Sequence, residues 1–434
     1  MSMKYFSTNR KSLHIDFREA TIKGLAPDKG LYFPEYIPQA EKGFIRDIEK
    51  YSNAEIAYNV ISPYVGDSIP AEELKRIAAE AIDFDIPLVK MTGNIYSLEL
   101  FHGPTLAFKD IGARFMSRCL GYFAKEIKQK VIVLVATSGD TGGAVANGFF
   151  KVDGVEVVIL YPSGKVSSVQ EKQLTTLGNN IHALEVDGNF DDCQRMVKDA
   201  FADENLNKSL FLTSANSINI ARWLPQQFYY YFAWKQWEDK DHPPVISVPS
   251  GNFGNICAGL LASHAGLPVK HFIAACNAND TVPEYFKTGK YTAKKAVATI
   301  SNAMDVGDPS NFIRILEMFN HNMDTLKEKI STCSISDEQV KSTIRNVLAN
   351  DKYLLDPHGA VAYQALKDYL ITNESAKGIF LETAHPVKFY DVVEPVIQQQ
   401  VPVPESVQKQ LNKPKQSFKM AADSNLLKSF LKDL

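Results

Sequence analysis

The sequence predicts an α/β fold of two domains with mostly parallel sheets. Three observations carry this. A short β-branched run, a Gly/Ser/Asn turn and an amphipathic helix recur in that order along much of the 434 residues. Such units imply parallel strands joined by right-handed crossovers. A chain of this length buries a large core without staples, and its five cysteines form no C-x-x-C pair, so free thiols are expected. Finally, 47 Lys+Arg against 50 Asp+Glu leave a net charge of −3. That balance argues against a nucleic-acid partner, yet it leaves room for a local pocket that takes a small anion. The apolar run Val131–Ala136 stops far short of the ~18–20 residues a membrane helix needs, and the first residues lack a secretory apolar region. A cytoplasmic protein with no membrane partner is expected.

The elements follow in order. Val131–Ala136 leads through Thr137-Ser-Gly-Asp-Thr-Gly-Gly143 into a helix over Ala144–Phe150. Val155–Leu160 leads through Pro162-Ser-Gly164 into a helix over Ser167–Leu177, and Ile181–Val186 precedes a helix from about Phe190 to Phe201. The charged, proline-punctuated stretch Trp234–Pro244 marks a junction. Beyond it, Val245–Val248 runs through Ser250-Gly-Asn-Phe-Gly-Asn255 into a helix over Ile256–Ala265, followed by strands at Val269–Ala275 and Gly378–Leu381. The expected division is an N-terminal section over 1–95, a smaller α/β domain over 96–240 and a larger one over 241–434.

Two of the turns are suited to anions. In Ser250–Asn255 the glycines let several N–H groups converge at a helix start, which suits a phosphate. It lacks the Lys-Ser/Thr of a Walker A loop and the spacing of a dinucleotide fingerprint. Taken alone, it also reads as an ordinary Gly/Asn-rich turn. Thr137–Ala144 offers hydroxyls and amides to a carboxylate or other small anion, while Asp140 and Thr141 read equally well as helix caps. A third feature is Lys109. In a helix starting near Leu106 it shares its stripe with Gly112, Ala113 and Met116, while Asp110, Arg114 and Ser117 lie to one side. Most lysines are solvated or snorkel. One held inward is costly unless its pKa falls or its nitrogen is used covalently, as in a Schiff base. An inward lysine beside a phosphate cradle is the minimum kit for pyridoxal phosphate.

Together these segments resemble the threonine synthase family, within the tryptophan-synthase-β group of pyridoxal-phosphate enzymes (fold type II). Phe101-His-Gly-Pro-Thr-Leu-Ala-Phe-Lys-Asp110 resembles the cofactor-lysine segment, with Lys109 as the Schiff-base residue. The loop with Thr137, Ser138, Gly139, Asp140 and Thr141 resembles the one that receives the substrate carboxylate. The loop with Gly251, Asn252, Phe253, Gly254 and Asn255 resembles the cofactor-phosphate loop. Gly24-Leu-Ala-Pro-Asp-Lys-Gly-Leu-Tyr-Phe-Pro34 resembles the N-terminal signature that dehydratase relatives lack, with Lys29 where glycine is more usual. Ser214-Ala-Asn-Ser-Ile-Asn-Ile-Ala-Arg222 is similar to the segment ahead of the second domain. By resemblance its Asn216, Ser217, Asn219 and Arg222 help hold a substrate phosphate. Leu381-Glu-Thr-Ala-His-Pro386 is similar to the segment whose threonine, here Thr383, faces the pyridine nitrogen.

The resemblance implies conversion of O-phospho-L-homoserine and water to L-threonine and phosphate, with Lys109 as proton shuttle. Arg222 and Arg114 are candidates to contact the departing phosphate, and His102 and His385 flank the site. The rival readings are a serine/threonine dehydratase-like lyase on the same fold and a non-catalytic binding protein that kept it. Whether the chain is a monomer or a homodimer stays open.

Overall fold

The computed structural model describes residues 3–127 and 130–434. Two sheets organise them. Six strands run in the order Ile330–Ser334, His271–Cys276, Val245–Pro249, Gly378–Glu382, Ile95–Glu99, Leu88–Lys90. All neighbours are parallel except the last pair. The other sheet holds five parallel strands, in the order Phe418–Ala421, Ile181–Asp187, Val155–Pro162, Val131–Ala136, Phe211–Thr213. The α/β class with mostly parallel sheets is what the recurring units imply. Val131–Ala136 is buried at every position, as helices covering both faces of a parallel sheet require.

The sheets are not assembled from consecutive blocks of chain. Leu88–Lys90, which lies ahead of the expected boundary at 95, belongs to the six-stranded sheet, and so does Ile95–Glu99. Phe418–Ala421, far beyond the boundary at 241, crosses back to pair with Leu184–Asp187. Helix starts also differ from the pattern-based ones. The helix expected from Ala144 begins at Asp140, because Gly139 at φ 141° makes the turn that launches it. The helix expected near Leu106 begins at Lys109, because Leu106 sits at φ 56°, outside the helical region.

The N-terminal section pairs Tyr5–Ser7 antiparallel with Tyr32–Pro34 and adds helices Phe17–Lys23, Asn53–Val65 and Ala71–Ala81. The second of these opens with a reciprocal capping box between Ser52 and Glu55. Lys29 does adopt a positive φ, 67°, a left-handed conformation that costs a β-carbon-bearing residue about 1 kcal/mol. Arg314 fastens this section to the rest. From helix Phe312–Met318 its fork donates to the Tyr32 carbonyl at 3.0 and 3.1 Å, the Ile218 carbonyl at 2.6 Å and Asn311 Oδ1 at 2.7 Å. The guanidinium lies 4.4 Å over the Trp223 ring, which in turn stacks on Phe33. Among the described residues no helix is long and apolar enough to cross a membrane.

Candidate active site

Lys109 owes its place to two distant segments. The chain ahead of it forms an antiparallel bridge from Ala107 to Ala384. The Phe108 amide donates to the Thr383 carbonyl at 2.9 Å, and the His385 amide to the Leu106 carbonyl at 3.0 Å. Lys109 is thereby locked against the segment that carries Thr383. Asp110 secures the same turn by accepting from the Thr105 amide and hydroxyl. A β-carbon on Gly103 would meet the Asp110 carboxylate at 2.5 Å, so this turn needs glycine.

Lys109 Nζ stands 3.6 Å from Asp140 Oδ2, across from the start of helix Asp140–Phe149. Burial pulls the Lys109 amine below its ordinary value. Asp140 opposes that shift, while Lys388 and Arg222 add to it. Burial alone would raise the Asp140 carboxyl, but Lys388 and Lys109 together hold it well below the usual carboxylate range. The amine is therefore biased toward neutrality and the carboxylate toward charge.

Of the residues expected to receive a carboxylate, Thr137 is buried and its Oγ1 accepts from the amides of Gly139 and Gly142, which shapes the turn. Ser138 is exposed and Thr141 half-buried. Gly139 is needed because a β-carbon there would lie 2.6 Å from Gln170. Asp140 departs from the expectation. Its side chain is occupied by Lys109, Lys388 and Gln170, and like charge repels a second carboxylate, so only its backbone suits that ligand.

The Ser250–Asn255 loop leads into helix Gly254–His264, with Phe253 at φ 60° turning the chain into it. A β-carbon on Gly251 would lie 2.6 Å from Met304 Cα, a backbone atom, so the loop is pressed onto the 302–304 turn. Asn252 acts as a brace, accepting from the Ser310 amide at 2.7 Å and donating to Ser217 Oγ at 2.6 Å. Asn255 Oδ1 accepts from Tyr230, yet its buried Nδ2 has no partner. An unpaired donor in the first turn of a helix is what a bound phosphate would satisfy. The loop's chemistry suits the phosphate of pyridoxal phosphate and the lysine its aldehyde; Thr383, buried, is joined to the lysine segment through the Phe108 amide.

The 214–222 segment divides. Ser217 meets the Ser250–Asn255 loop through Asn252, and Asn216 is half-buried close by in sequence. Asn219 does not suit a ligand. It is fully buried, caps the helix Ile220–Trp223 through Oδ1 and donates to the Thr21 carbonyl. Arg222 is buried, donates to the Ala215 carbonyl and leaves Nε without a partner. Its backbone would meet a β-carbon on Gly112, one turn along from Lys109. Arg114 is corrected outright, since it bonds the Glu80 carbonyl and pairs with Asp83 at 2.6 Å. It is buried, as are Asp110 and Ser117, because helix Lys109–Ala124 is covered on nearly every side. His102 pairs with Glu99, while burial and His102 pull the His385 imidazole down to about 4. His385 is thus a neutral acceptor from the Val387 amide.

One central residue escaped the sequence reading. Lys388, in the short 3₁₀ turn Pro386–Phe389, is completely buried and reaches Asp140 Oδ1 at 2.9 Å, the Thr105 carbonyl at 2.7 Å and Gln173 Oε1 at 3.1 Å. The available signal was its position between Val387 and Phe389, directly after the Thr383 segment.

Comparisons with known proteins agree with this geometry. Residues 86–381 match the model of the family described as pyridoxal-phosphate dependent enzyme. Residues 4–82 match the threonine synthase N terminus and 359–431 the threonine synthase C-terminal region. The chain is 45% identical to the threonine synthase of Serratia marcescens over 433 residues, covering 100% of both. It superposes on the crystal structure of threonine synthase from Escherichia coli with a TM-score of 0.91 at 41% identity, covering 99% of this chain and 100% of that one. For the PLP-bound threonine synthase from Brucella melitensis the TM-score is 0.94 at 34% identity, covering 100% and 99%. Fold, buried lysine and phosphate-type loop thus define a pyridoxal-phosphate-dependent enzyme acting on a small molecule. Since full-length likeness extends through both terminal regions, the chain belongs to the threonine synthase family.

Proposed function

We propose that this enzyme converts O-phospho-L-homoserine and water to L-threonine and phosphate in the cytoplasm, as a monomer or homodimer, with Lys109 as its proton-transferring base. The observation that carries this reading is the buried Lys109, held against the Thr383 segment by the Phe108 amide with its Nζ 3.6 Å from Asp140 at the start of the helix Asp140–Phe149. Lys109 would hold the cofactor covalently, Gly251, Asn252, Phe253, Gly254 and Asn255 would cradle its phosphate, and Thr383 would meet the ring nitrogen. When bound, pyridoxal phosphate supplies an electron sink for charge that develops at the substrate carbons. The chain's own part is positioning and proton transfer. The amides and hydroxyls around Thr137, Ser138, Gly139 and Thr141 orient the substrate carboxylate. Lys109 Nζ, once free, takes the proton from Cα and returns protons later in the reaction. Thr383 would offer the ring nitrogen a neutral hydroxyl in place of a carboxylate, a partner that would suit elimination better than transamination. Arg222, with its unpaired Nε, is the arginine suited to a departing phosphate; Asn216 and Ser217 stand in the same segment.

The test is release of phosphate and threonine from O-phospho-L-homoserine with and without added pyridoxal phosphate. Equal amounts of both products, dependent on the cofactor, are expected. Ketobutyrate and ammonia without threonine would instead make the enzyme a dehydratase. A second expectation concerns the cradle. Gly251→Ala drives a β-carbon into the Met304 backbone, and overpacking of this kind costs about 1–3 kcal/mol. Cofactor affinity measured by equilibrium dialysis should fall about tenfold or more. Unchanged affinity would remove Gly251 from the cradle.

A further inference from the structure

Lys388 is a second lysine in the site, and its surroundings differ from those of Lys109. Its three ammonium protons have three acceptors: Asp140 Oδ1 at 2.9 Å, the Thr105 carbonyl at 2.7 Å and Gln173 Oε1 at 3.1 Å. The side chain is wholly buried, so it is a fixed charge whose donors are all engaged. Lys109 makes a looser approach to the other oxygen of the same carboxylate, 3.6 Å, beyond ordinary hydrogen-bond distance. Gln170 donates a further bond to Asp140 Oδ1 at 3.0 Å. One carboxylate therefore serves two lysines unequally, and the one outside the proposed chemistry holds it more closely.

This asymmetry has a chemical use. If Asp140 had only Lys109 as counter-ion, losing the Lys109 proton would strand a buried carboxylate, and the pair would favour the ammonium form. With Lys388 in place, Asp140 stays paired whether or not Lys109 carries its proton. We propose that Lys388 is a positioning residue that takes up the charge of Asp140 and so leaves the Lys109 amine free to give up and take back a proton. Among the described residues, the charged groups acting on Lys109 are Asp140 from the helix Asp140–Phe149, Lys388 from the 386–389 turn and Arg222 from the helix Ile220–Trp223; Tyr229, whose hydroxyl donates to the neighbouring Phe108 carbonyl, and Asp110, next along the helix, act on Arg222. Lys388 and Arg222 act on Lys109 in the same sense, against its ammonium form. Only Lys388 also neutralises Asp140. Its grip on the Thr105 carbonyl further anchors the turn that leads to Lys109.

The inference rests on the reading of Lys109 as the working base, and the experiment separates the two. Full-length protein is stripped of cofactor, checked for regained activity on adding it back, and trace-labelled with an amine reagent across a pH series. Peptide mass spectrometry then reads the labelling midpoint of Lys109. In Lys388→Met the midpoint should rise by about one pH unit or more, with labelling at neutral pH about tenfold slower. The acid limb of the activity profile should move the same way. Lys388→Arg, which keeps the charge, should restore the wild-type midpoint. The double variant Asp140→Asn, Lys388→Met removes both opposing charges and should bring it back toward wild type. An unmoved midpoint in Lys388→Met overturns the proposal, as does an equal rise with and without Asp140. If Lys388→Met does not fold, Lys388→Gln, which removes the charge but keeps an amide donor for Thr105 and Asp140, takes its place, and the same rise is expected and the same unmoved midpoint overturns the proposal. A wild-type enzyme that made no threonine would sink the functional reading, whatever the labelling showed.

Discussion

Lys109→Ala should abolish the visible absorbance of lysine-bound cofactor and lower threonine formation by at least about 10³-fold. Two roles converge on this nitrogen. As the proposed covalent anchor it would position the cofactor, and as base it would move the substrate protons, a function that alone contributes about 10²–10⁴-fold in enzymes generally. The Lys388 amine does not stand ready to replace it, because it is held by three acceptors, one of them the other Asp140 oxygen. The check is the absorption spectrum of the dialysed variant beside a phosphate-release assay. Wild-type turnover from Lys109→Ala would show that the base is elsewhere. The fold should survive the change, since the helix starting at Lys109 is held by Asp110 and by the bridge from Ala107 to Ala384.

The largest effect on stability is expected for Arg314→Met. Burial pulls this guanidinium down to about 10, so it remains charged at neutral pH while buried among carbonyl and amide oxygens. Methionine fills much of the volume but leaves the oxygens of Tyr32, Ile218 and Asn311 without their donor. Each unsatisfied buried acceptor costs about 1–3 kcal/mol, so a loss of roughly 3 kcal/mol or more is expected. A lower urea midpoint, followed by tryptophan fluorescence because Trp223 lies against the guanidinium, measures it. The variant should also bind cofactor more weakly, since the Asn311 side chain donates to the Asn252 carbonyl of the phosphate-type loop. A midpoint equal to that of wild type would mean that Arg314 does not hold the N-terminal section in place.

The strands at Val131–Ala136, Val155–Pro162 and Gly378–Glu382 could be read directly, because runs buried on both faces are continuous in β-branched and apolar residues. The two Gly-rich turns could be placed between strand and helix for a related reason, although each alone also reads as an ordinary turn or helix cap. Local pattern failed where distant chain decided the outcome. The start of the Lys109 helix depends on Leu106 pairing with His385, which no window around Leu106 contains. Arg114 is a candidate phosphate contact by sequence, yet its partners come from the 80–83 segment. Asn219 resembled a ligand-binding amide, but helix capping uses the same side chain. Lys388 was missed because a lysine is nearly always solvated, and only the convergence of Thr105, Asp140 and Gln173 makes its burial tolerable.

The strand Phe418–Ala421 covers the edge of Ile181–Asp187, and it leaves the ribosome long after the four strands it joins. Until then the nascent five-stranded sheet presents an unpaired row of backbone amides and carbonyls, a template for pairing with other chains. The six-stranded sheet waits in the same way, since Ile95–Glu99 finds its neighbour Gly378–Glu382 only near the end of synthesis. The Lys109 segment likewise meets Thr383 and Lys388 only then, so this buried lysine is put in place by the last quarter of translation.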